Sequence, residues 1–184
     1  MPLRILLADD QQMIREALAM ILDLEIDLEV VKQVGRGDEV LPAVRETRPD
    51  VALLDIEMPG ATGIEAAAEL ARSGLTSQAG APVRSLILTT FRRPGYLRRA
   101  LEAGASGFVV KDGTASQLAQ AVRRTAAGLR VVDSVLAEEA KWQGSSPLTG
   151  RETEVLRAAE TAGSVKEIAG MLGLSSGTVR NHLS

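Results

Sequence analysis

The sequence predicts a doubly wound α/β domain on a five-stranded parallel sheet, followed by a second, small all-α unit. Three observations carry this. Short apolar runs alternate five times with amphipathic stretches of helical period, as expected of βα repeats around a sheet covered on both faces. From Pro147 onward the runs cease, and helix-start signals flank a glycine turn. The length of 184 residues exceeds one small domain and falls short of two full ones, since domains run to about 100–200 residues.

Apolar residues make up 45% of the chain, charged residues 24% and aromatics 2%, so the core must be built from Leu, Val, Ile and Ala, and disordered or fibrous classes drop out. There is no cysteine, which excludes disulfides and thiolate metal sites. In MPLRILLADD two aspartates arrive before a secretory leader can develop, and the longest apolar runs are far below the ~20 residues that span a bilayer. A cytoplasmic protein with no membrane partner is expected. The net charge is -3. Beyond Pro147, Arg151, Arg157, Lys166 and Arg180 are balanced by Glu152, Glu154, Glu160 and Glu167, so residues 1–146 carry all of it and the chain is not a globally basic nucleic-acid binder.

In order, the strands read as Arg4 to Ala8, Leu28 to Val34, Val51 to Leu54, Ser85 to Thr89 and Gly107 to Val110. The first helix shows Ile14, Ala17, Leu18, Ile21 and Leu22 at i, i+3, i+4, i+7, i+8. Helical patterns near Glu39 to Glu46, Ile64 to Ala71, Tyr96 to Ala103 and Gln117 to Ala126 complete the repeat, giving a domain over residues 1–126. The connection SGLTSQAGAPV, Ser73 to Val83, is long and rich in small residues, and reads as a flexible excursion away from any site. Residues 127–146 read as a linker. In residues 147–184, Thr149 with Glu152 forms a capping box, and Ser164 with Glu167 opens a helix bearing Ile168, Ala169 and Leu172. Gly173 ends that helix, and Ser175 or Ser176 starts another through Val179 and Leu183.

Ligands of such a sheet bind outside the carboxyl ends of its strands, at the switch point. Asp9 and Asp10 close the first strand, Asp55 the third, Thr89 and Thr90 the fourth, Lys111 and Asp112 the fifth. Taken singly, each acid reads as a strand-end carboxylate or helix cap, Thr89 as a β-branched strand residue and Lys111 as a surface lysine. Together they place like charges that need a cation among them. An all-oxygen cluster suits Mg²⁺, which keeps several waters. A metal, a lysine and a carboxylate nucleophile around one vacancy describe a phosphoryl-transfer site.

The stretches LLADDQQMIREAL, LLDIEMPGATGIE, LILTTF and ALEAGASGFVVKD resemble the receiver domain of bacterial two-component response regulators, over residues 1 to about 126. That resemblance implies a flavodoxin-like fold, with Asp55 as phosphoacceptor and Mg²⁺ held by Asp9, Asp10, Asp55 and the backbone carbonyl of Glu57. It implies Thr89 as the switch hydroxyl, Lys111 as the partner of the phosphoryl group, and Phe108 as the aromatic whose rotamer follows the switch. Lys111-Asp112, where many receivers carry Lys-Pro, is the form usual in the NarL/FixJ group, whose receivers are joined to a LuxR-type DNA-binding domain.

PLTGRETEVLRAAETAGSVKEIAGMLGLSSGTVRNHLS resembles the start of that LuxR-type helix-turn-helix. The resemblance implies that Arg180 and Asn181 face base edges, where Arg suits guanine and Asn adenine, with Lys166, Ser176 and Thr178 toward phosphates. Its partners are then a sensor histidine kinase, promoter DNA and, on phosphorylation, a second copy of the chain. Ser184 falls before the rest of the recognition helix and the fourth helix usual in the family, so a truncated domain that binds DNA poorly is expected. Two other functions fit parts of the pattern: a Mg²⁺-dependent aspartyl-phosphate phosphatase, and a receiver signalling through protein contacts with a degenerate DNA-binding tail. The phosphatase reading needs a second Asp two residues after the nucleophile, where the chain has Glu57.

Overall fold

The computed structural model describes residues 1–90, 95–132, 158–159, 164–172 and 179. The chain divides into two compact units, Met1–Trp142 and Gln143–Ser184.

In the first unit the order is β1 (Leu3–Ala8), α1 (Gln12–Asp23), β2 (Leu28–Val34), a 3₁₀ turn (Gly37–Glu39), α2 (Val40–Thr47) and β3 (Val51–Asp55), then α3 (Gly63–Ser73), β4 (Arg84–Thr89), α4 (Tyr96–Glu102), β5 (Gly107–Val110), α5 (Ala115–Ala126) and β6 (Val131–Val132). The strands form one parallel sheet in the order β2-β1-β3-β4-β5-β6. The five expected strands are present. The sheet adds a sixth in the stretch read as linker, where Val131 and Val132 pair with Gly107 and Phe108. Gly107 permits that approach, since a Cβ there would lie 2.6 Å from the Val131 carbonyl oxygen.

Side chains alternate along each strand, and both faces are buried. Ile5, Leu7, Val51, Leu53, Leu86 and Leu88 pack with Ala19 and Leu22 of α1 and Leu118, Ala121 and Val122 of α5. Leu6, Ala8, Ala52, Leu54 and Ile87 pack with α2, α3 and α4 through residues such as Val44, Leu70 and Ala100. Each fully buried Leu or Ile stabilises by about 1.5–3 kcal/mol, so neither face can be turned to water.

Helix starts follow local chemistry. Thr62 caps α3: its hydroxyl accepts the Glu65 N–H at 3.2 Å, and the Glu65 carboxylate accepts the Thr62 N–H at 2.8 Å. Those bonds hold the Glu65 carboxyl below its ordinary range. Thr114 and Gln117 repeat the device on α5. At the other end of α5, Arg123 bonds Asp27 at 2.8 and 2.6 Å and Glu25 at 2.7 Å, tying the helix to the turn after α1.

The connection from Ser73 to Val83 is not a loose excursion. Thr76 and Pro82 form an antiparallel bridge, the Ser77 N–H donates to the Ala81 carbonyl at 2.8 Å, and the Gly80 N–H donates to Ser77 at 3.0 Å. Arg48, in the left-handed region at φ 47°, ends α2 and bonds the Thr76 and Ser77 carbonyls at 3.3 and 2.9 Å. A cation from another element closes the hairpin. It lies at the amino end of β4, opposite the edge expected to carry the site.

In the second unit, the described residues include helical Ala158 and Ala159, α6 (Val165–Leu172) and helical Val179. The Ser164 hydroxyl accepts the Glu167 N–H at 3.3 Å, as the sequence pattern requires. Ala158, Ile168, Ala169 and Val179 form a buried cluster. Lys166 lies on α6, whereas Ser176, Thr178, Arg180 and Asn181 fall outside the described residues. Among the described residues, no helix is long and apolar enough to cross a membrane.

Candidate phosphoacceptor and metal site

β1 lies between β2 and β3, so the strand order reverses there and leaves a crevice beyond the carboxyl ends of β1 and β3. The register aligns those ends: Ala8 pairs with Leu54, Asp55 with Leu88, and Thr89 with Val110. Asp9, Asp55, Thr89 and Lys111 therefore follow one another along a single edge.

Asp9 is buried, with its carboxylate accepting the Gln11 N–H at 3.0 Å and the Lys111 ammonium at 2.6 Å. Asp55 accepts the Glu57 N–H at 3.0 Å on one oxygen and meets Lys111 at 2.6 Å with the other. Asp10 is exposed, and one oxygen from each of the three carboxylates lies within 4.8 Å of the others. Lys111 is itself nearly buried, its side chain 6% exposed, and its backbone N–H donates to the Thr89 carbonyl at 2.7 Å. Three carboxylates and one ammonium leave two negative charges, which one divalent cation would balance. Burial pushes the Asp55 carboxyl above its ordinary range, and the Asp9 charge adds to this. The hydrogen bond and charge of Lys111 and the Glu57 N–H oppose it.

Thr89 is buried at the end of β4, and Phe108, in the pair Ile87–Phe108, is 1% exposed within the cluster on the α2–α4 face. Asp112 and Thr90 are exposed, and Asp112 is not a member of the acidic triad. The sequence pattern thus brings Asp9, Asp10, Asp55 and Lys111 together. It missed Arg15, whose guanidinium donates to the Asp9 carbonyl from the second turn of α1. The available signal was a cation one turn beyond a pair of aspartates, on a helix with no acid in its first turn.

Comparison with known proteins shows the family. The response regulator receiver domain family matches residues 5–123, and the luxR family of bacterial regulatory proteins matches residues 146–184. The chain belongs to the response regulators. It is a transcriptional regulator of the two-component type, pairing a receiver with a LuxR-type output domain. It is 43% identical to the transcriptional regulatory protein DesR of Bacillus subtilis over 98% of this chain and 86% of DesR. It is equally identical to the regulator YvfU of the same organism, over 99% and 88%, so DesR is not singled out. Among solved structures, the response regulator ChrA of a heme-sensing two-component system matches at 34% identity and a TM-score of 0.65, covering 99% of this chain and 87% of ChrA.

Proposed function

We propose that this response regulator works in the cytoplasm, accepts a phosphoryl group on Asp55 from a sensor histidine kinase, dimerises, and binds promoter DNA as the dimer. The observation that supports this most is the Lys111 ammonium, 2.6 Å from both Asp9 and Asp55 within a triad of carboxylates. The position two residues after Asp55 is the exposed Glu57 rather than the Asp an aspartyl-phosphate phosphatase needs, which favours a phosphoacceptor and regulator over that hydrolase.

The donor set is all carboxylate oxygen beside a backbone loop, which fits Mg²⁺. Asp9, Asp10, Asp55 and the Glu57 carbonyl would hold it. When bound, Mg²⁺ neutralises charge that develops on the transferred phosphoryl oxygens. An oxygen of Asp55 forms the new bond to phosphorus while the phosphorus–nitrogen bond of the donor phosphohistidine breaks. The leaving imidazole keeps the electron pair and takes a proton from solvent. Lys111 offers its ammonium to the phosphoryl group, and Thr89 supplies a hydroxyl donor to the new acceptor oxygens. Movement of Thr89 changes the packing around Phe108, which couples the local charge to a two-state arrangement. In the output domain, Arg180 and Asn181 read base edges, and Lys166, Ser176 and Thr178 meet phosphates.

Incubation with Mg²⁺ and acetyl phosphate, read by intact mass, tests the reading. The wild type gains one acid-labile phosphoryl group and Asp55→Asn gains none. Equal labelling of the two would move the acceptor elsewhere.

A further inference from the structure

Two loops carry the ligands proposed above: the turn after β1, with Asp9 and Asp10, and the loop after β3, with Asp55 and Glu57. A third segment, residues 35–39 between β2 and α2, contributes no ligand but touches both.

On the β1 side, the Asp9 N–H donates at 3.1 Å to the carbonyl of Val34, the last residue of β2 and the one that leads into this segment. The Arg15 guanidinium donates to the Asp9 carbonyl and lies over Gly35, where a Cβ would come within 3.3 Å of its Nη1. On the β3 side, the Gly37 N–H donates to the Pro59 carbonyl at 3.0 Å. A Cβ on Gly37 would sit 1.9 Å from the Ala61 carbonyl oxygen, backbone that cannot swing aside as a side chain can. Gly60 has φ 83°, and a Cβ on it would meet the Asp38 carboxyl carbon at 2.4 Å. Asp38 is fixed in that place by two bonds from Arg36, at 2.9 and 2.8 Å.

We propose that residues 35–39 and Arg15 form a brace that holds the acidic turn and the phosphoacceptor loop at a fixed spacing, and so sets the Mg²⁺ affinity of the site. The inference rests on the metal site proposed above. Mg²⁺ requires near-ideal octahedral geometry and short ligand distances. A shift of a few tenths of an ångström in either loop therefore weakens binding, even though no ligand is lost. Gly37 and Arg15 are positioning residues, each acting on one side of the crevice. Partners that orient ligands from outside the first shell typically change metal affinity 10–100-fold when removed.

The test is Mg²⁺ titration by calorimetry on the full chain, alongside acetyl phosphate labelling rates as a function of Mg²⁺. Gly37→Ala and Arg15→Met should raise the half-saturating Mg²⁺ concentration about 10-fold or more. The labelling rate at saturating Mg²⁺ should stay within about twofold of wild type, because every ligand and Lys111 remain. Arg15→Lys, which can still donate to the Asp9 carbonyl, should recover part of the affinity. Gly170→Ala, where a Cβ would meet nothing within 4 Å and φ is not positive, as it is not at Gly37, controls for the generic effect of replacing a glycine and should leave Mg²⁺ affinity unchanged. If Gly37→Ala does not fold, Arg15→Met carries the test alone. Unchanged Mg²⁺ affinity in Arg15→Met, with only a lower melting temperature, overturns the brace. A wild-type chain that binds no Mg²⁺ is a different result and overturns the metal site itself.

Discussion

Replacing Lys111 by alanine removes the cation that lies between Asp9 and Asp55, and the structure allows the consequence to be sized. Both contacts are 2.6 Å, and the side chains of Lys111, Asp9 and Asp55 are 6%, 1% and 9% exposed, so water does little to screen what is left. Removing one partner of a buried ion pair costs about 3–5 kcal/mol, because a charge remains buried without compensation. Here two carboxylates remain, and they repel each other. For a chain of this size 1 kcal/mol moves the melting temperature by about 2–4 °C, so a loss of about 6–20 °C is expected at neutral pH without divalent ions. Mg²⁺ should then narrow the gap. At a concentration 100 times its dissociation constant a ligand stabilises by about 2.7 kcal/mol, and in the variant it no longer competes with an ammonium for the same oxygens. Differential scanning calorimetry of wild type and Lys111→Ala, with and without Mg²⁺, measures all four states. A loss below about 1 kcal/mol without metal, or a gap that Mg²⁺ leaves untouched, would refute the reasoning.

Thr89→Ala should still be labelled at Asp55 but should dimerise poorly with beryllium trifluoride, as read by analytical ultracentrifugation; a variant that dimerises as well as wild type removes Thr89 from the route to output. Thr62→Ala should lose the α3 cap at about 0.5–2 kcal/mol, a fall of about 1–8 °C in melting temperature with helix content retained. The hydrogen bonds from Arg123 hold the Asp27 carboxyl below its ordinary range. A depressed carboxyl contributes stability above its unfolded pKa and loses it as pH falls through the folded one. The stability deficit of Arg123→Ala should therefore be greatest near neutral pH and shrink in strong acid, and a deficit independent of pH would assign it to packing instead.

What was legible in the sequence follows from what repeats. Strands buried on both faces must be apolar throughout, so β1, β3 and β4 announce themselves, and a carboxylate or hydroxyl directly after such a run, as at Asp9, Asp55 and Thr89, marks the sheet edge. The register that brings Lys111 across to Asp9 is legible only as a consequence of the strand order, yet it came through. β6 did not, because two residues show no period and what admits them is the missing side chain of Gly107, a property of another strand. Arg15 reads as a solvated helix charge until its carbonyl partner is seen. Nothing in the sequence marks Gly35 and Gly37, since the atoms that would exclude a side chain there belong to Arg15 and Ala61. The hairpin after α3 looked loose because its order comes from Arg48, a cation from an element 28 residues away.

That hairpin also makes the fold permissive at one defined place. Its base is closed by the Thr76–Pro82 bridge and clamped by Arg48, while residues 78–82 are exposed. Lengthening an already closed loop adds little, about 0.6 kcal/mol for each doubling. A fluorophore or short tag grafted at its tip should therefore ride on the domain without perturbing it, on the edge of the sheet opposite Asp55.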